Sequence, residues 1–549
     1  MDEQCYPIAV VPGTTALVRD FADVAAAADP AALRRWYPSD PLGWAWAANA
    51  PELDETHRQR LADALREQAT RFGAGAKVFE NIEKLKDGAA AVVTGQQVAL
   101  FGGPLFTLLK AATAIRKAQE ATERSGRPHV PVFWLATEDH DLAEVDQVAL
   151  PVKREVETLR LELHPGVAGR VGAMAADGGS EEGRAKLNAV LERAGELLGW
   201  GPVAEDLRAC YEKPGTTLAE GFARLLTKIF AEFGLVVMDA SSRAFHALGA
   251  RALRAAVERA EELEAALMAR AEELVSAGYH AQVLVAAGHS LLFLIDGESG
   301  ARLPLRRGTD GQWKAGARAY STEELLAILE AEPERVSPNA LLRPVFQDAI
   351  LPTAAYVAGP AEIAYFAQSG VVYERVLGRV TPVLPRLSAT LVEPAVAKVM
   401  AQHEVELPQV WEAKSAEALA QRLGARAMPV ETKRKLAAAG NALDVELTAL
   451  TEHMNAMSEE LGRAAEVSAS KMRYQMNRLR TMAANFQLQR EASLRKHAEA
   501  LMVNLLPEGH LQERVLGGVW FLARYGEGLP RLLVECAGQE CPGHRLIYI

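Results

Sequence analysis

The chain has 549 residues, 49% of them hydrophobic and 24% charged, with a formal net charge of −11. That is ordinary globular composition in a chain too long for one core, so roughly two or three domains are expected. The acidic balance excludes a nonspecific nucleic-acid binder. No apolar run is long enough to span a bilayer, and the N-terminus lacks the basic and apolar regions of a signal peptide. Four cysteines do not make a disulfide framework in such a chain, and a cytoplasmic protein with reduced thiols is expected.

Residues from about 52 to 86 read as helical, with Leu53, His57, Leu61 and Leu65 at helical spacing. A buried strand at 90–94 runs into Gly95-Gln96-Gln97. The turn Gly102-Gly103 then leads to a helix over 104–120 with Pro104 in its first turn. A second buried strand, 130–136, runs straight into Thr137-Glu138-Asp139-His140-Asp141. Residues 151–214 read as an insertion. Helix 217–233 leads to a third strand at 234–239 and one long helix over roughly 243–276. A small antiparallel insertion follows, with strands at Gln282–Ala286, Ser290–Asp296, Arg302–Arg306 and Trp313–Ala319. Strand 351–357 and the last core strand, Val380–Leu387, resume the alternation, which predicts a parallel sheet with right-handed crossovers. From 391 the chain is nearly all helical. Leu443, Leu447, Leu450, Met454, Met457, Leu461 and Ala464 alternate spacings of four and three, a coiled-coil seam. The expected organisation is an α/β core over 1–390 with insertions near 151–214 and 280–336, a helical coiled-coil domain over 391–510, and a segment, 511–549, returning to the core.

Two strands that release polar groups at their C-terminal ends make the layout of an open α/β crevice. Gly95, Gln96 and Gln97 can orient a polar substrate there, or cap the turn. Gly102 and Gly103 precede a helix whose free N–H groups attract anions. Glu138, Asp139, His140 and Asp141 can hold Mg²⁺, bind an ammonium or supply a base, with N-capping as the competing role. His140 alone among them titrates near neutral pH. Asn339 and Arg343, before Pro344, suit carboxylate or phosphate recognition as well as a surface ion pair. Gly359 and Glu362 repeat the Gly-Pro logic at another strand end, and Tyr365 lies one turn on. Arg386 and Ser388 end a strand and either complete the pocket or form an interdomain salt bridge. Cys536, Cys541 and His544 lack zinc-site spacing, and no metal ligands are assigned.

The segments TGQQ…GGPLFTLLKA, PVFWLATEDHD, LPTAAYVAGPAEIAYF, TPVLPRLSATLVEP and LLPEGHLQERV also carry a likeness. In this order the chain resembles the BshC family of bacillithiol biosynthesis, from its first residues to near its C-terminus. The resemblance implies a Rossmann-like core of nucleotidylyltransferase type with inserted segments, and a coiled coil that forms a homodimer. It implies a ligase that adds L-cysteine to the amine of glucosaminyl-malate, the last step towards bacillithiol. Amide formation needs an activated carboxyl, which makes ATP the expected cosubstrate and Mg²⁺ its companion, although the chain has neither G-x-x-x-x-G-K nor H-x-G-H. On this reading Gly102 and Gly103 form the anion site, Glu138, Asp139 or Asp141 the ammonium or Mg²⁺ site, and His140 the base. Two other classes stay open: a different nucleotidyl- or aminoacyl-transferring enzyme on the same core, and a non-catalytic coiled-coil scaffold.

Overall fold

The computed structural model describes residues 4–24, 30–40, 43–138, 142, 145–163 and 170–549. Its centre is a strand, β1 (Ala90–Gln97), whose first six residues are all buried. Ala91 and Val93 join one apolar cluster, and Ala90 and Val92 join another on the opposite face. Such a strand must lie inside a sheet covered on both sides. Its neighbours are β2 (His129–Ala136), β3 (Val236–Asp239), β4 (Thr353–Ala358) and β5 (Val383–Pro385). All pair in parallel, in the order β5-β4-β1-β2-β3. The order reverses between β1 and β4, and a crevice opens at such a switch point, beyond the C-terminal strand ends.

Helix α1 (Phe106–Ser125) covers β1 and β2. Helices α2 (Arg243–Glu258), α3 (Arg343–Ile350) and α4 (Pro360–Leu377) pack against one another, with α4 reaching β4 and β5. Several expected boundaries change. The helix expected over 104–120 runs from Phe106 to Ser125, with Leu105 as its N-cap and the free Leu105 N–H donated to the Leu516 carbonyl. The helix expected over 243–276 is two helices, broken at Arg259. In the antiparallel insertion, Gln282–Ala286 is not a strand, and Trp313–Ala319 is a hairpin of Trp313–Ala315 and Arg318–Tyr320 turning at Gly316. Val336–Pro338 supplies an edge strand too short to carry a readable alternation.

The coiled-coil segment is an antiparallel hairpin of α5 (Val430–Met457) and α6 (Glu459–Arg490), turning at Ser458. The last part of the chain then packs back on the core. Helix Gly528–Cys536 lies on α1, and His544–Tyr548 pairs with Ala389–Val392 and with Gln4–Tyr6. That pairing brings Cys5 and Cys541 together, and they form a disulfide, contrary to the expectation of reduced thiols throughout. Cys210 and Cys536 are free and buried. No described helix is long and apolar enough to cross a membrane.

One buried ion pair joins the C-terminal part to the sheet. Glu513 accepts two hydrogen bonds from Arg386, at 2.6 and 3.0 Å, one from the Ser388 hydroxyl and one from the Ala389 N–H. His544 lies behind, between the Ser388 and Thr390 hydroxyls, and burial pushes its ring down to about 4. Burial opposes the charge on Glu513, but Arg386 and the hydrogen bonds outweigh it and hold the carboxyl below its ordinary value. Stability from such a group is present above the unfolded-state pKa and is lost as the pH falls through the folded one. Glu513→Gln should therefore destabilise the protein by about 3–5 kcal/mol at pH 7, because the Arg386 guanidinium stays buried without its counter-ion. Urea denaturation should show that gap narrowing as the pH drops below about 4.

Candidate active site

A cleft of about 800 Å³ opens at the ends of β1, β2 and β4. Its floor is built on Lys110, in the first turns of α1, which is 3% exposed. The Lys110 ammonium donates to the Gly95 carbonyl at 2.8 Å and to Gln96 Oε1 at 3.0 Å. It also meets Glu362 Oε2, on α4, at 2.5 Å. Gly95 has to be glycine here, since a Cβ would stand 2.8 Å from the Trp134 carbonyl oxygen. Glu362 accepts two further hydrogen bonds, from the Gly359 N–H at 2.7 Å and the Tyr356 hydroxyl at 2.6 Å. Desolvation works against its charge, and Lys110 with these donors wins, so the carboxyl sits below its usual range. Burial pulls the Lys110 ammonium below its ordinary value, with Glu362 opposing.

Arg343, at the start of α3, extends this network. Its guanidinium donates to the Tyr365 hydroxyl at 2.7 Å, to Tyr356 at 3.4 Å and to Gln347 at 3.2 Å. It also lies 5.5 Å from the Tyr356 ring centroid. Burial disfavours its charge, but Tyr365, Tyr356 and Glu362 more than compensate and keep it protonated. The two cations of the floor, Lys110 and Arg343, thus face one carboxylate, Glu362. Buried charge left over in this way favours an anionic ligand.

Of the residues singled out from sequence, Gly95, Gln96, Gln97 and Glu138 line the cleft, as do Asn339, Arg343, Gly359, Glu362, Tyr365 and Arg386. The Asn339 side-chain oxygen is taken by the Leu341 and Leu342 N–H groups, so it fixes the approach to α3. Arg386 reaches the cleft but is held by Glu513, and Ser388 lies outside, bonded to Glu513 and His544. Asp139, His140 and Asp141 fall outside the described residues. Gly102 and Gly103 do not line the cleft. Gly103 has φ +68°, and its carbonyl accepts the Gly518 N–H at 3.1 Å. The turn expected to seat an anion instead docks the C-terminal segment.

Sequence reasoning missed Lys110, Tyr356, His246, Arg302, Arg160, Glu508 and Arg514. Only Lys110 left a readable trace, as a charge among Leu108, Leu109, Ala111 and Ala112 on a buried helix. The others come from distant segments that only the fold brings together. Among the described residues no group of three His, Cys, Asp or Glu side chains is placed to hold a metal.

Two family models together match nearly all of the chain. The N-terminal Rossmann-like domain of BshC, described as bacillithiol biosynthesis, matches residues 15–387, and its C-terminal coiled-coil domain matches 389–549. The chain belongs to the BshC family of bacillithiol biosynthesis. A BshC from Koribacter versatilis, named as a cysteine ligase, is 41% identical across the full length of both chains. One from Solibacter usitatus is 36% identical over 99% of each chain. One from Salinibacter ruber is 34% identical over 91% of this chain and 90% of its own. The Rossmann-like and coiled-coil assignments agree with the parallel sheet and the α5–α6 hairpin.

Two substitutions separate corner from floor. Gly103→Val should cost about 1–3 kcal/mol of stability at its positive φ. A Cβ there would also come within 2.9 Å of Ala99. Gly103 lies outside the cleft and touches it only through Ala99, so the affinity of the Lys110–Arg343 floor for anions should change far less than in the second variant. Arg343→Lys should weaken binding of a dianion such as malate or inorganic phosphate about tenfold, because an ammonium lacks the planar fork. Calorimetry and thermal melts on both variants check the pair.

Proposed function

We propose that this protein is a ligase joining the carboxyl of L-cysteine to the amine of glucosaminyl-malate. The observation that carries this reading is the cleft itself. At the strand-order reversal it offers a cationic floor for carboxylate or phosphate and a carboxylate, Glu138, for an ammonium. Relatives named as cysteine ligases over the full chain support the same substrate class. The reaction forms a C–N bond and needs a leaving group on the cysteine carboxyl. ATP, with Mg²⁺, would supply that activation. Lys110 and Arg343 would then hold anionic groups of the substrates. His140, flanked by Asp139 and Asp141, is our choice for accepting the proton of the attacking amine. We place the protein in the cytoplasm, on the reading that it is a biosynthetic ligase.

Deleting the gene should abolish bacillithiol and accumulate glucosaminyl-malate, read by mass spectrometry of cell thiols. His140→Ala should abolish thiol formation in vitro with the melting temperature unchanged. Normal turnover in that variant would remove His140 from the mechanism.

We also propose a homodimer through the α5–α6 arm. A two-helix hairpin buries Leu447 and Met476 but leaves Leu450 53%, Met457 66%, Leu479 53% and Phe486 60% exposed. So many large apolar side chains on one arm call for a partner surface. Replacing Leu450 and Met457 with Asp should give monomers by light scattering. A dimer that survives both substitutions would place the interface elsewhere.

A further inference from the structure

Glu138 follows β2 after a single residue, and its side chain lines the cleft while staying 16% exposed. Its Oε1 lies 3.1 Å from Nε2 of His246, a fully buried residue of α2. Nδ1 of the same ring lies 3.1 Å from the Pro333 carbonyl, which can only accept. Phe346 of α3 packs on the ring, with 5.1 Å between centroids. Both ring nitrogens therefore face oxygen atoms that hold the ring in place. The fold fixes the ring from three sides, and the ring fixes one oxygen of the carboxylate. Burial pushes the Glu138 carboxyl upward, but His246, Arg302 and Arg170 outweigh it and hold it below the usual range. A carboxylate held in this way is a weak base and a lasting counter-ion.

The proposed reaction contains two amines with opposite needs. The sugar amine has to lose its proton before it can attack. The α-amine of cysteine has to keep its proton, because a free one would attack the activated carboxyl of another cysteine. A carboxylate that stays ionised stabilises an ammonium, which serves the second need and opposes the first. We propose that Glu138 seats the α-ammonium of the amino-acid substrate and that His246 is the positioning residue that holds it there. This rests on the ligase reading above and adds to it which amine Glu138 takes and what stands behind it.

The test uses the full-length protein with ATP and glucosaminyl-malate, offering either L-cysteine or 3-mercaptopropionic acid, which is cysteine without its amino group. The wild type should strongly prefer cysteine. Glu138→Gln should raise KM for cysteine about ten- to a hundredfold, as expected for losing a charge-assisted hydrogen bond. It should leave KM for glucosaminyl-malate within about twofold and erase most of the preference over the des-amino analogue. His246→Gln should do the same to a smaller degree, whereas a purely structural histidine would not split the two KM values. Folded variants with unchanged KM for cysteine and intact discrimination overturn the proposal. A rise confined to KM for glucosaminyl-malate also overturns it, by placing the sugar amine on Glu138. If His246→Gln does not fold, Glu138→Asp, which draws the carboxylate away from the ring, takes its place. A wild type that makes no amide from cysteine refutes the ATP-dependent ligase reading instead. Calorimetry of L-cysteine against its des-amino analogue, on wild type and Glu138→Gln, then decides the seat by itself.

Discussion

The cleft depends on one buried ion pair. Lys110 and Glu362 sit on α1 and α4, helices that follow β1 and β4 on the two sides of the strand-order reversal. Taking both ions out of water costs several kcal/mol, and their attraction offsets this only when the remaining hydrogen-bonding groups are also satisfied. Here they are satisfied, by Gly95 and Gln96 around the ammonium and by Gly359 and Tyr356 around the carboxylate. An apolar pair of similar volume would hold the helices together equally well. What the ions supply is a polar floor of fixed geometry, on which Tyr356 and then Arg343 are hung. Stability is therefore a weak reason for the pair, and ligand recognition a better one.

The second constraint is the return of the chain end. The segment from Pro507 to Gly518 leaves the helical arm, passes the cleft rim with Glu508 and Arg514, and docks on the Gly103 turn. On the way Glu513 grips Arg386, a residue that itself lines the cleft. The helical part is thus no appendage, since the same dozen residues that anchor it also close the rim.

The sheet was legible because its strands are apolar on both faces and end in glycine or charge. Gly95, Glu138 and Gly359 mark the three strand ends that meet at the cleft. Gly102 and Gly103 lie outside the cleft for a physical reason. Gly-Gly-Pro before a helix signals a tight turn and a close backbone approach, but not what approaches, and here it is the chain's own Leu516 and Gly518. The heptad spacing was readable in α5, but the seam expected to run on through Leu461 and Ala464 is cut at Ser458, so those two residues lie on α6, and periodicity shows that a face must be covered and not by which helix. His246 left no trace at all, since a single histidine in an Ala- and Arg-rich helix gives no hint of the carboxylate it meets from β2. The Cys5–Cys541 bond joins the two ends of the chain, and only the pairing of their strands reveals it.

The charge of the whole chain and the charge of its cleft point in opposite directions. With a net charge of −11, the protein repels a dicarboxylate at long range. Salt limits that repulsion, because the Debye length is about 8 Å at physiological ionic strength. Inside the cleft the balance reverses, where Lys110 is buried, Arg343 is half-buried, and the two cations share the Glu362 carboxylate. Attraction for an anion there is local and only weakly screened, so affinity should depend on seating the anionic group directly on the floor. The same low polarity sharpens Glu138. A carboxylate held from behind by the His246 ring attracts an ammonium in contact far more than one at a distance. Discrimination between substrates that differ by one charged group is then set by contact geometry inside the cleft, which the buried pairs fix before any ligand arrives.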